Sequence, residues 1–287
     1  MINIFKGCGT AMFTPFKQGK VDLEAMAKLT RRQVEAGIDF LVPLGTTGET
    51  PTLSAAEKRD VLQVVRENAG GRPVVVGVGT NSVDGTIGNI DLLPEADAFL
   101  VVAPYYNKPP QRGLYAYFKT IAEHTDKPVI LYNVPGRTGC NIAAETTLKL
   151  AEVPNIVAVK EASGNIPQAT QILEGAPEGF GLLSGNDDDT LTLMRGGAAG
   201  VISVASNVCP GLMAEFTHAA LEGDWDKAAK LDERLHALFK NLFVEPNPIP
   251  GKAAMAQLGL MENSLRLPLV PALPETEELM KQTLKEL

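Results

Sequence analysis

A short apolar run followed by a stretch of helical spacing recurs eight times between Cys8 and Leu221. The apolar runs are Cys8 to Thr14, Phe40 to Leu44, Val74 to Val78, Ala98 to Val102, Pro128 to Tyr132, Ile156 to Val159, Gly181 to Leu183 and Gly200 to Val204. They are short and rich in β-branched residues, as buried strands are. Helical spacing follows each, over Leu23–Ala36, Ser54–Asn68, the residues after Ser82, Gln111–His124, Ala143–Leu150, Ile166–Leu173, Asp187–Met194 and Pro210–Leu221. Ser54-Ala55-Ala56-Glu57 has the Ser-x-x-Glu form of a capping box. Strands that each lead into a helix are parallel and joined by crossovers. Eight such units predict an α/β protein with a closed (β/α)8 (TIM) barrel. An open doubly wound sheet is the alternative, but nothing breaks the repeat midway.

From Asp224 the pattern changes. Helices are predicted over Trp225–Phe243, Gly251–Leu258 and Glu275–Leu287, separated by the proline-rich pieces Pro246–Pro250 and Pro268–Pro274. Residues 1–223 are expected to form the catalytic barrel. Residues 224–287 are expected to form a C-terminal helical extension packed on it, too short to bury a core alone.

Of 287 residues 45% are apolar, ample for one large core. The net charge, 26 − 34 = −8, argues against non-specific nucleic-acid binding. No apolar stretch reaches the roughly 18 residues of a membrane span. Met1 to Lys6 lack the long apolar core of a secretion signal. Cys8, Cys140 and Cys209 stand far apart, which suits buried thiols in a reducing cytoplasm. His124, His218 and His236 fall on predicted helices without spaced partners, so no metal site is expected.

Barrels of this kind carry their chemistry at the C-terminal ends of the strands. There this chain places Gly45-Thr46-Thr47-Gly48-Glu49-Thr50, Tyr105-Tyr106, Tyr132-Asn133-Val134-Pro135-Gly136-Arg137-Thr138, Lys160, and Ser184-Gly185-Asn186-Asp187-Asp188-Asp189. Each has an ordinary reading: a tight turn, packed tyrosines, a lysine whose stem lies along the wall with its head in water. The acidic run reads as a helix N-terminal cap. Together on one rim they suit imine chemistry. Burial favours the neutral amine, which attacks a keto group, and the iminium then acts as an electron sink. A tyrosine hydroxyl bridged by a threonine can relay the protons. Hydroxyls and amides at Thr46 and Thr47, and the fork of Arg137, can hold carboxylates.

The segments Gly45–Glu49, Tyr132–Thr138 and Val159-Lys160-Glu161-Ala162-Ser163-Gly164 give the chain, over essentially its full length, a resemblance to the pyruvate-dependent class I aldolase (N-acetylneuraminate lyase) superfamily. Within it the chain resembles the dihydrodipicolinate synthase family. The resemblance implies a lyase that joins pyruvate to aspartate-4-semialdehyde through a Schiff base on Lys160, with no other cofactor. The product, 4-hydroxy-tetrahydrodipicolinate, would feed lysine and cell-wall precursor synthesis. It implies a proton relay of Tyr132, Thr46 and Tyr106, the last reaching into a neighbouring subunit's site, and hence a homotetramer built from tight dimers. It also implies that Thr47 and nearby amides hold the pyruvate carboxylate, that Arg137 binds the carboxylate of the semialdehyde, and that Gly185 and Ile202 line the pyruvate pocket. Asn81 and Tyr105 match positions of the family's lysine feedback site. Ala55 and Lys58 stand where lysine-sensitive members commonly carry histidine or another polar group, and Gly85 where they carry glutamate. Lysine inhibition is therefore expected to be weak or absent.

Three rivals remain at this point. A sister aldolase or dehydratase would share the lysine and tyrosine, and Arg137 argues instead for a short second substrate with its own carboxylate. A non-catalytic binding barrel has no need of a buried amine. A phosphate-binding barrel is disfavoured because Asn186–Asp189 and Ser203–Asn207 lack a glycine-rich cradle.

Overall fold

The computed structural model describes residues 5–287. The first four residues, part of the stretch read for a secretion signal, lie outside them. Eight parallel strands form the centre: β1 (Gly7–Ala11), β2 (Phe40–Val42), β3 (Val75–Gly77), β4 (Ala98–Val102), β5 (Val129–Asn133), β6 (Ile156–Glu161), β7 (Gly181–Ser184) and β8 (Gly200–Ser203). Their order, β2-β1-β8-β7-β6-β5-β4-β3, follows the chain once around. A parallel bridge between Leu41 and Val74 joins the two ends, with N–H donation from Leu41 to the Pro73 carbonyl (2.9 Å) and from Gly77 to that of Pro43 (3.1 Å). The sheet is therefore a closed barrel, as the repeat predicts.

The helices between strands are α1 (Leu23–Glu35), α2 (Ala55–Asn68), α3 (Val83–Leu92), α4 (Gln111–Glu123), α5 (Ala144–Leu150), α6 (Ile166–Gly175), α7 (Thr190–Arg195) and α8 (Pro210–Leu221). The capping box of α2 is formed: the Glu57 N–H donates to the Ser54 hydroxyl, and the Glu57 carboxylate accepts from the Ser54 N–H. After Asp224 come α9 (Trp225–Asn241), α10 (Ile249–Gln257) and α11 (Pro274–Glu286). A small hairpin, Phe16–Lys17 against Lys20–Val21, lies between β1 and α1 and was not foreseen. Among the described residues no helix is long and apolar enough to cross a membrane.

Alternation along the strands sorts side chains into two layers. Phe40, Val42, Val75, Ala98, Leu100, Ile130, Tyr132, Ala158, Leu183 and Ile202 pack together inside the barrel. Phe99, Val101, Leu131, Val159, Leu182 and Val201 face the helices. With Ala158 inward and Val159 outward, the same alternation aims Lys160 into the barrel and Glu161 out of it.

Three expectations need correction. Lys160 is not the last residue of its strand, because pairing continues through Glu161, which lies opposite Ser184 and Asn133. The acidic run does not cap its helix. It forms a 3₁₀ turn, and buried Asp187 instead accepts the N–H groups of Val204 (3.0 Å) and Ala205 (2.9 Å) at the end of β8. Of the three thiols, all free, only Cys8 is buried; Cys140 and Cys209 are half-buried.

Candidate active site

The C-terminal mouth of the barrel holds a cavity of about 410 Å³. Thr46, Tyr132, Arg137 and Tyr105 line it, with Glu49, Lys58, Asn247 and Leu269. Lys160 stands beside it, 5% exposed, its amine 4.4 Å from the centre of the Tyr132 ring. Adjacent strands bring the two together, since Tyr132 and Lys160 are register partners of β5 and β6. Among the described residues no carboxylate lies within salt-bridge distance of Lys160.

The neighbouring acid is taken elsewhere. The two carboxylate oxygens of Glu161 accept from the Asn133 amide (3.1 and 3.0 Å), the Ser163 N–H (2.8 Å) and the Gln168 amide (3.1 Å). Asn141 joins this group through Asn133 and Gln168. A buried carboxylate satisfied by neutral donors makes no demand on the lysine, and the network ties the ends of β5 and β6 to α6. Asp187 is another buried acid nearby. Burial pushes its carboxyl above the usual range, against the lowering effects of Ser203, the Ala205 and Val204 N–H groups and the Lys160 charge.

The turn carrying Thr46 and Thr47 is a single 3₁₀ turn closed by N–H donation from Gly48 to the Gly45 carbonyl (3.1 Å) and from Glu49 to that of Thr46 (3.1 Å). The Thr14 hydroxyl donates to the Gly48 carbonyl (2.7 Å), and that of Thr50 to the Gly45 carbonyl (2.9 Å). A side chain at Gly48 would press on Thr14 and on the Met12 carbonyl, at 3.2 and 3.3 Å. Thr47 is buried behind the turn, and its hydroxyl oxygen accepts from the Asn247 amide at 2.9 Å. Its own proton stays available to a carboxylate. Arg137 lies on a helical turn, Pro135–Thr138, is largely exposed, and donates to the Asn247 carbonyl at 3.2 Å.

The remaining predicted residues fall in different places. Ile202 is fully buried in the inner cluster with Tyr132. The Gly185 N–H donates to the Glu161 carbonyl (2.7 Å), and a Cβ there would meet the Ala162 Cβ at 2.5 Å, so only glycine fits this approach. Tyr105 lines the same cavity as Tyr132 rather than a separate one; the Asn81 carbonyl accepts from the Asn107 amide near that loop. Tyr106 is not brought to the site within one chain: it is 87% exposed, with a left-handed φ of 77°. Asn247 and Glu49, which also line the cavity, were not singled out. Asn247 belongs to a proline-rich piece read as a separator, and no local signature marks a partner 200 positions away from Thr47.

Chemically, the mouth offers an amine with no carboxylate in salt-bridge distance among the described residues, a phenol against it, a hydroxyl turn and a guanidinium. These can capture an oxo-acid, form an imine and move a proton from the neighbouring carbon. No group of three or more His, Cys, Asp or Glu able to hold a metal ion occurs among the described residues.

Comparison with known proteins places this geometry in context. A family model described as the dihydrodipicolinate synthetase family matches residues 4–287. The 4-hydroxy-tetrahydrodipicolinate synthase of Koribacter versatilis is 48% identical over 286 residues, covering 98% of this chain and 95% of that protein. The dihydrodipicolinate synthase structure from Thermotoga maritima superposes with a TM-score of 0.96 at 45% identity, covering 99% of this chain and 98% of that one. A structure described as a monomeric dihydrodipicolinate synthase variant gives 0.97 at 45% identity, covering 99% and 97%.

Proposed function

The chain belongs to the dihydrodipicolinate synthetase family, and we propose that it condenses pyruvate with aspartate-4-semialdehyde through an imine on Lys160. The product is 4-hydroxy-tetrahydrodipicolinate, which enters lysine and diaminopimelate synthesis. The observation that carries this reading is Lys160: an amine inside the barrel, with no carboxylate in salt-bridge distance among the described residues and 4.4 Å from the centre of the Tyr132 ring. The lysine attacks the keto carbon of pyruvate and water leaves. The iminium acidifies the methyl group, which loses a proton to give an enamine that attacks the aldehyde. Tyr132 and Thr46 move the protons, with Tyr106 supplied by a neighbouring subunit. Thr47 and the amides of its turn hold the pyruvate carboxylate, Arg137 holds that of the semialdehyde, and Gly185 and Ile202 shape the pyruvate pocket. The amine of the semialdehyde then displaces Lys160 at the imine carbon, which closes the ring and frees the lysine; the lysine is the covalent catalyst, and no further cofactor enters.

The enzyme is read as cytoplasmic and as a homotetramer, a dimer of dimers. The bare, left-handed Tyr106 supports a shared site; the monomeric variant among its structural relatives makes sedimentation the measurement of choice. Inhibition by lysine is read as weak. A side chain at Gly85 would meet the Thr80 and Ser82 hydroxyls at 2.7 and 2.8 Å, so the glutamate of lysine-sensitive members has no ready room. Strong inhibition at sub-millimolar lysine would refute this.

Incubation with pyruvate and borohydride, followed by intact-mass analysis and peptide mapping, tests the main reading. A reduced pyruvyl group is expected on Lys160, and the semialdehyde added first is expected to lower the trapped fraction by turnover. An adduct indifferent to the semialdehyde would transfer the assignment to a sister aldolase. No adduct would remove the catalytic reading.

A further inference from the structure

The most deeply buried ion pair of the described residues lies outside the reacting atoms. Lys252, on α10, and Glu49, directly after the Thr46–Thr47–Gly48 turn, have side chains of 0% exposure and approach to 2.5 Å. Glu49 holds a left-handed φ of 52° and lines the cavity. Its second oxygen accepts the Arg266 N–H at 3.0 Å. The Lys252 ammonium also donates to the Ser264 carbonyl (2.9 Å) and lies 4.2 Å from the centre of the Phe16 ring. Five residues before Lys252, Asn247 bonds the Thr47 hydroxyl and accepts from Arg137. One segment of the C-terminal extension thus grips the turn at two points and also touches the guanidinium.

A buried ion pair is a weak source of stability, and a well-packed apolar pair of the same volume often serves as well or better. The best-attested use of such a pair is to fix a register or a geometry. We infer that Glu49 and Lys252 are positioning residues which hold the Thr46–Thr47 turn at the distance from Lys160 that pyruvate capture requires. This rests on the function proposed above. Burial lowers the Lys252 ammonium to about 8, only partly offset by the Glu49 charge, while Arg266 lowers it further. The groups facing it are therefore the Glu49 carboxylate, the Arg266 guanidinium with Glu57 behind it, the Ser264 carbonyl and the Phe16 ring. As pH rises past about 8 Lys252 gives up its proton and the pair loses its positive charge.

The test uses the full chain and borohydride trapping as a function of pyruvate concentration, in Glu49→Gln, Lys252→Met and the double variant, with thermal unfolding alongside. Each single variant leaves one partner buried alone and is expected to unfold earlier. The double variant removes both charges and is expected to regain most of the melting temperature. Its half-saturating pyruvate concentration is nevertheless expected to stay at least tenfold above that of the unaltered protein. The unaltered protein should also need more pyruvate as pH rises past about 8, and the double variant should not show that rise. A double variant that captures pyruvate as the unaltered protein does, or that keeps the alkaline rise, overturns the inference while leaving Lys160 chemistry intact. Absence of any adduct in the unaltered protein overturns the reading of function and this role with it.

Discussion

On the cavity wall, Tyr132 offers two things to Lys160, a ring face and a hydroxyl, and the two can be separated. The ring lies 4.4 Å from the amine, close enough for a cation–π contact while the amine is charged. The hydroxyl is the group that can move a proton. Tyr132→Phe keeps the first and removes the second. It is expected to lower turnover by about 10²- to 10³-fold, within the range of a general acid–base contribution, while borohydride still traps pyruvate on Lys160. Lys160→Ala is expected to abolish both trapping and turnover. Loss of trapping in Tyr132→Phe would mean that the tyrosine acts by shaping the lysine and not by carrying protons. The placement of both at the ends of neighbouring strands was legible in the sequence, because each closes an apolar run, although neither stands out alone. Their register, Tyr132 opposite Lys160, was not legible, since it depends on strand pairing.

Between elements, the long reach of Arg266 shows what local reading misses. Its guanidinium donates to both oxygens of Glu57, to the Thr52 carbonyl (2.9 Å) and to the Gly19 carbonyl (2.8 Å), and lies 4.5 Å from the centre of the Phe16 ring. The sequence announced Glu57 through its capping box but gave no sign that its carboxylate is shared with an arginine 209 positions on. The Arg266 hydrogen bond, with help from Ser54, lowers the Glu57 carboxyl from 4.5 to about 2. A carboxyl lowered on folding stabilises the fold above its unfolded value and loses that contribution as pH falls from about 4.5 toward 2. Arg266→Met removes the main cause. The acid-unfolding midpoint of this variant, followed by circular dichroism, is expected to move upward relative to the unaltered protein, with little difference in stability at or below about pH 2. An unchanged midpoint would show that solvent screens the pair completely. The buried pair Glu49–Lys252 belongs to the same set of ties but is dry. Lys252→Met is expected to cost about 3–5 kcal/mol in denaturant unfolding, the usual penalty of leaving a buried charge alone. The strands and most helices were predictable because they repeat a pattern. These ties were not, because a single lysine in a largely apolar helix and an arginine in the loop before Pro268 carry no periodicity.

For the whole molecule the open matter is Tyr106. Its N–H donates to the Thr138 carbonyl (3.2 Å), yet the residue is 87% exposed and held at a φ of 77°, where a non-glycine residue is strained by about 1–3 kcal/mol. Strain of that size clusters at active sites and ligand clamps, which agrees with the shared site proposed above. In a two-fold dimer such sharing is reciprocal, each chain giving its tyrosine to the other's cavity. Complementation separates this arrangement from a tyrosine that acts in its own chain. Lys160→Ala and Tyr106→Phe chains are each expected to be nearly inactive. Unfolded together and refolded at equal amounts, half of the dimers pair one of each. In those, one site has lost both groups and the other has Lys160 from the Tyr106→Phe chain and Tyr106 from the Lys160→Ala chain. Roughly a quarter of the normal activity should return if exchange is random and dimers are two-fold. If Tyr106 works within its own chain, no pairing assembles a complete site and the mixture stays at the average of its parts. Dilution gives the same division a second readout: a shared site loses specific activity as dimers part, and a self-contained one does not.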